Sequence, residues 1–176
     1  AGISLWYSSN NKLRGNHITY STYYNFAVEG ESLSDFVNYV ERSNTINGKP
    51  IYYLINERDM SVFSDAGFVA LVNCTNIMVK NLSLEKNHEG ILSVYTQNSI
   101  ITQNNVATNG FGIWLKHSSN NSITRNGVTY NQYGINLDYS LNNTIAENNI
   151  TNTRYQGINL ASSSNTIISG NNITNS

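Results

Sequence analysis

Gly112-Ile113-Trp114-Leu115-Lys116-His117-Ser118-Ser119-Asn120-Asn121-Ser122-Ile123-Thr124-Arg125-Asn126 recurs, with substitutions, along most of the chain. Its glycine returns at Gly2, Gly67, Gly90, Gly112, Gly134 and Gly157, and the last four steps are 23, 22, 22 and 23 residues. One residue later stands Ile3, Phe68, Ile91, Ile113, Ile135 or Ile158. Eleven later comes Leu13, Met78, Ile101, Ile123, Ile145 or Ile168. Fourteen later comes Asn16, Asn81, Asn104, Asn126, Asn148 or Asn171. Three columns filled in all six copies mark an internal repeat of 22 residues or so.

Within a copy the apolar side chains alternate, as in Ile135–Leu137 and Ile158–Leu160, which is strand spacing. Each strand is short and runs into a Ser/Asn turn. One copy cannot bury its apolar face, but stacked copies share a continuous core. The pattern predicts an all-β parallel β-helix, a solenoid of about eight rungs, each strand pairing with its equivalents about 4.8 Å away. The asparagine column is structural on this reading: an inward amide can bond backbone groups at a turn and its own copy in the next rung. A single domain over 1–176 is expected, with regular rungs at 1–23 and 67–176 and irregular ones at 24–66. In that irregular part Glu31–Arg42 reads as a short helix or bulged loop, Asn47-Gly48 as a turn, and Ile51–Ile55 as a strand.

The chain has 176 residues, with ten Lys/Arg against eleven Asp/Glu. A balance so close to neutral argues against nucleic acid, whose phosphates call for a basic face. No apolar run approaches the length of a membrane span. Ala1 opens directly into patterned sequence, so no signal peptide is read there. The 31 Asn, 21 Ser and 14 Thr would suit a disordered chain, but 12 Tyr, 5 Phe and 2 Trp together with recurring aliphatics predict an ordered one.

Gly134-Ile135-Asn136-Leu137 followed by Asn148-Asn149-Ile150 resembles the right-handed parallel β-helix repeat family. Asn44–Leu54 and Ala70–Leu82 are similar to linking segments of its NosD-like branch, a group of periplasmic and surface proteins. The resemblance implies the fold and an extracellular or cell-surface place. It does not fix an activity, since members include carbohydrate-active enzymes, surface proteins and a copper-enzyme maturation factor.

Three kinds of chemistry can be weighed on the residues. A glycosidase needs paired carboxylates on one face. Asp138 stands alone in the regular rungs, and Asp35, Glu57, Asp59 and Asp65 lie in or beside the irregular part, so an enzymatic role is not favoured. Copper or zinc needs clustered His, Cys or Met. His17, His88 and His117 fall at different columns, Met60 and Met78 are not neighbours in the repeat, and Cys74 is the single cysteine, so neither metal nor cofactor is expected. Polysaccharide binding has more support: aromatic columns containing Phe111, Tyr133 and Tyr155, with Trp114, Asn136 and Asp138 at outward positions, form a candidate sugar surface. Of six Asn-x-Ser/Thr sites, Asn73, Asn149 and Asn172 are the expected glycan acceptors, and Asn81 is assigned to the ladder.

Both ends fall on full rungs, which predicts either a segment of a longer β-helix or copies stacked end to end through open rungs. The sequence therefore reads as a non-catalytic structural β-helix of the cell surface, with polysaccharide binding and polysaccharide hydrolysis or lysis as alternatives.

Overall fold

The computed structural model describes every residue except Ser64. The first six strands are β1 (Ile3–Trp6), β2 (Lys12–Leu13), β3 (His17–Ile18), β4 (Phe26–Glu29), β5 (Tyr39–Val40) and β6 (Thr45–Ile46). Then come β7 (Lys49–Ile55), β8 (Arg58–Phe63), β9 (Phe68–Val72), β10 (Thr75–Lys80), β11 (Ser83–Glu85) and β12 (Glu89–Val94). The regular turns add β13 (Ile100–Thr102), β14 (Asn105–Ala107), β15 (Phe111–Lys116), β16 (Ser122–Thr124), β17 (Gly127–Thr129) and β18 (Tyr133–Asp138). The last are β19 (Thr144–Ala146), β20 (Asn149–Thr151), β21 (Gln156–Ala161), β22 (Ile167–Ser169) and β23 (Asn172–Thr174).

From β7 onward the chain winds as a parallel β-solenoid with three sheets, and with the two turns before it there are about eight turns in all. The main sheet runs β21-β18-β15-β12-β9-β7, and its inward residues Val69, Leu71, Ile91, Ile113, Leu115, Ile135 and Leu137 fill the bore. The glycine that opens each turn is there for lack of room. A Cβ on Gly112 would lie 2.6 Å from the Gly134 carbonyl oxygen and 2.7 Å from Val128 Cγ1. Gly112→Ala is therefore expected to lower stability by about 1–3 kcal/mol, as overpacking does, measured by urea unfolding.

The asparagine richness has two structural sources. Corners of the turns put residues in the left-handed region, as at His117, Asn120, Arg125 and Tyr130 (φ 51 to 57°), where asparagine is the least strained side chain after glycine. Others line the bore as ladders. Asn104, Asn126, Asn148 and Asn171 bond in sequence, each amide donating to the next Oδ1 at 2.9–3.0 Å. Each Oδ1 also accepts the backbone N–H of the preceding turn, and Asn126 Nδ2 reaches back to the Ile101 carbonyl at 2.9 Å. Three further ladders were not read from the sequence: Asn87-Asn109-Asn131, Ser99-Asn121-Asn143, and Thr96-Ser118-Ser140-Ser163.

Two members of the expected asparagine column stand elsewhere. Met78 pairs with Ile100 and Val79 with Ile101, so the 23-residue step from Gly67 to Gly90 places Leu82, not Asn81, opposite Asn104. Leu82 N–H donates to Asn104 Oδ1, while Asn81 is an exposed corner at φ 58°. Asn16 belongs to a separate short ladder and donates to Asn44 Oδ1 at 2.7 Å.

The first 46 residues do not continue the same register into the solenoid. β1, β2 and β3 pair in parallel with β4, β5 and β6, making a two-turn unit of their own. Asn47 and Gly48, both at positive φ, then turn the chain back, and β6 pairs antiparallel with β7. The expected short helix within Glu31–Arg42 is one 3-10 turn, Leu33–Phe36.

The open turn of this unit is closed by the outer face of the main sheet. Its inward Phe26, Val28, Phe36 and Val40 pack with outward Tyr53, Phe68, Ala70, Val72, Leu92 and Trp114 as a second core. β9 and β12 are consequently buried on both faces. Burial of a single large side chain in such a core contributes about 1.5–3 kcal/mol, so this seam is a large share of the stability of residues 1–46.

Candidate functional site

Register builds one continuous outward file across the main sheet: Tyr53, Ala70, Leu92, Trp114, Asn136, Asn159. Its character changes from apolar to amide where the cover of the N-terminal unit ends. The neighbouring file changes likewise, from Val72 and Val94 to Lys116 and Asp138.

The border between the two regions is built from ionisable groups that close the free edge of β4. Glu89, fully buried, accepts the Val28 N–H through Oε2 and the His88 imidazole through Oε1. Lys116, also buried, donates its ammonium to the Gly30 carbonyl at 2.7 Å and to Glu31 Oε2 at 2.8 Å. Tyr24 stands against His88, and its hydroxyl accepts from Gln132 Nε2 at 2.8 Å. These side chains replace the neighbouring strand that β4 lacks.

Burial pushes the His88 pKa down, but the hydrogen bond and charge of Glu89, with Glu29 nearby, leave it raised above 6.5. Burial also pushes Glu89 up, and the opposing pull of His88 leaves it above 4.5. Both groups hold protons more tightly folded than unfolded. The contribution of each is therefore full below its ordinary value and fades as pH rises through its own folded value, His88 having the higher ordinary value. The melting temperature should be higher at about pH 5.5 than at about pH 8. Replacing His88 with Gln should flatten that slope, and an unchanged slope would contradict the assignment.

Beyond the border lies a shelf. Asp138 Oδ2 accepts the Trp114 indole N–H at 2.7 Å and the Asn136 amide at 3.0 Å, and Asn159 Nδ2 donates to Asn136 Oδ1 at 2.6 Å. Asp138 and Asn159 are half-buried, and Asn136 and Trp114 are buried beneath them. Aromatic residues flank this floor. On one side Phe111 stacks on Trp114 and on Tyr133, with Tyr155 tilted against Tyr133. On the other His117 is stacked between Tyr95 and Tyr139.

The structure brings all six candidate sugar-binding residues to one place, but it revises their parts. Trp114 is 6% exposed and belongs to the seam, so it supports the floor from below. Phe111 and Tyr133 turn their faces to neighbouring rings, and Arg154 lies over Tyr155, so the exposed polar groups rather than the ring faces are available to a ligand. The register also differs: Phe111 and Tyr133 align with Glu89 and Gln156, while Tyr155 sits one residue out of the column.

The expected acceptors Asn73, Asn149 and Asn172 are exposed. Asn73 donates to Asn56 Oδ1 at 2.7 Å and Asn172 to Asn149 Oδ1 at 2.8 Å, so these amides pair between turns. Asn81, Asn120 and Asn142 are equally exposed.

The family model described as periplasmic copper-binding protein (NosD) matches residues 34–176. The chain belongs to the NosD family. No curated protein and no solved structure matches it. No helix among the described residues is long and apolar enough to cross a membrane.

The copper in the NosD description finds no fitting donor set in these residues. No three His, Cys, Asp or Glu side chains among the described residues converge for a metal ion. His88 is held by Glu89, His17 meets Thr45 at 2.9 Å, and His117 lies between two tyrosines. The buried Cys74 thiol contacts the Leu54 and Val72 carbonyls, and burial pushes its pKa up, away from the thiolate that copper prefers. Met60 pairs with Ile77, whereas Met78 pairs with Ser61, so the two sulfurs alternate across the sheet. No step through copper follows from this arrangement.

Proposed function

We propose that this NosD-family chain is a non-catalytic β-solenoid of the cell envelope that holds a polysaccharide on the shelf of Asp138 and Asn159, with Asn136 as its buried support. The observation that carries this reading is the fixed carboxylate. Asp138 Oδ2 is oriented by an indole N–H and an amide, and Asp138 and Asn159 both stay partly exposed above those groups. A carboxylate and a carboxamide on one face offer acceptors and a donor to sugar hydroxyls. The shelf lies on rigid strands, so little ordering is needed on binding.

Two features favour binding over cleavage. Asp138 is the carboxylate on the floor among the described residues, and hydrolysis of a glycosidic bond calls for two. Glu31, across the border, is bound to Lys116.

The test is affinity electrophoresis of the chain in gels cast with neutral and acidic polysaccharides. Retardation by at least one polymer is expected, and Asp138→Ala should weaken it at least tenfold, about 1.4 kcal/mol. Retardation by none, or equal retardation of the variant, would overturn the proposal.

A further inference from the structure

In the second turn of the docked N-terminal unit, the turn that faces the main sheet, one strand edge is without a partner strand among the described residues. In its open turn, the β4 edge is closed by the His88 N–H on the Phe26 carbonyl together with Glu89 and Lys116. The β6 edge is closed by β7, including Ile51 N–H on the Asn44 carbonyl. β5 differs. Tyr39 N–H bonds the Asn11 carbonyl and Glu41 N–H bonds the Leu13 carbonyl, both toward β2. Strand alternation therefore turns the N–H and C=O of Val40 the other way, where no strand pairs with β5 among the described residues.

That edge borders a cleft between the two units, walled by Val37 and Val40 on one side and by Tyr53 and Ile55 on the other. Glu41 and Glu57 stand at its rim. The Tyr53 hydroxyl donates to the Phe36 carbonyl at 2.6 Å, which fixes the inner wall. Val40, Tyr53 and Ile55 also belong to the apolar seam that joins the units. An occupant of the cleft would extend an interface the chain already makes with itself.

We infer that the cleft receives an extended peptide segment of another polypeptide, added as a strand to the free edge of β5. Backbone groups at strand spacing select a polypeptide, and apolar walls select alternating apolar side chains. At the rim Glu41 is paired with Arg14 at 3.4 Å, and Glu57 favours a basic flank at its end of the cleft. This site is separate from the polysaccharide shelf and does not depend on it.

The probe is a fluorescein-labelled synthetic peptide alternating valine and threonine between lysine ends, read by fluorescence anisotropy against the full chain. Saturable binding is expected, with slowed hydrogen exchange at the Val40 amide. The same peptide N-methylated at alternate amides should bind at least tenfold more weakly, a comparison that leaves the protein untouched. Val40→Pro removes a donor with no partner in the free chain and should weaken binding to a similar extent. Failure to bind at about 1 mM peptide, which corresponds to less than about 4.1 kcal/mol, would overturn the inference. So would equal binding of the two peptides, even if Val40→Pro fails to fold.

Discussion

Glu89→Ala is expected to destabilise the chain by about 3–5 kcal/mol, the range for breaking a buried ion pair from one side. The substitution leaves the Val28 N–H without an acceptor and the half-buried His88 without its counter-charge. Both groups lie in the seam between the N-terminal unit and the main sheet, so the loss should appear first as undocking of residues 1–46. Glu89→Gln keeps an oxygen for the Val28 N–H and should cost less, about 1–3 kcal/mol. Chemical unfolding followed by tryptophan fluorescence reads this directly, because Trp114 packs in the seam. Equal stability of wild type and Glu89→Ala would mean that the β4 edge does not rely on this carboxylate.

Asn126→Leu should produce the second large loss. Leucine keeps the branching of the side chain but is bulkier, so overpacking of the bore adds to the loss of hydrogen bonds. Asn126 Oδ1 accepts from the Asn104 backbone and amide, and its Nδ2 donates to the Ile101 carbonyl and to Asn148. Leucine leaves the Asn104 N–H and the Ile101 carbonyl unpaired in the bore, at about 1–3 kcal/mol each. A total near 3 kcal/mol is expected in urea denaturation, against a fraction of that for exposed Asn120→Leu. The ladder would be ornamental if the two variants unfolded alike.

Much of this architecture is legible in the sequence. The glycine column, the alternating Ile and Leu, and the asparagine fourteen residues on give the turn, its strands and one bore ladder. The three other ladders are hidden because Ser, Thr and Asn substitute for one another in them, as in Thr96-Ser118-Ser140-Ser163. Counting fourteen residues from each glycine misplaces a residue where the glycine itself is out of register. Gly67 lies 23 residues before Gly90 while the strands pair at 22, as Val69 with Ile91, so Asn81 falls one short of Leu82, which faces Asn104.

The chain reversal is harder to see. Asn47-Gly48 reads as a tight turn, but nothing local says that the strands on either side of it belong to separate windings. A signal does exist in β9 and β12. Phe68-Val69-Ala70-Leu71-Val72 has no polar alternation, which in a strand means cover on both faces. Ile135-Asn136-Leu137-Asp138 does alternate, and there the outer face is open. Reading where alternation begins would have located both the docked unit and the shelf beside it. The edge-closing parts of Glu89 and Lys116 were not legible, because their partners Val28 and Gly30 lie 61 and 86 residues away.

The most direct test of the shelf is a two-dimensional nitrogen–proton NMR titration with fragments of any polysaccharide that retards the chain. The indole N–H of Trp114 bonds Asp138, whereas Trp6 is exposed at the end of β1 on the other unit. The account predicts that the Trp114 indole signal shifts on saturation, together with the side-chain amides of Asn136 and Asn159, while the Trp6 signal stays in place. Shifts confined to Trp6, or none at these amides, would place the glycan elsewhere and contradict the proposed site.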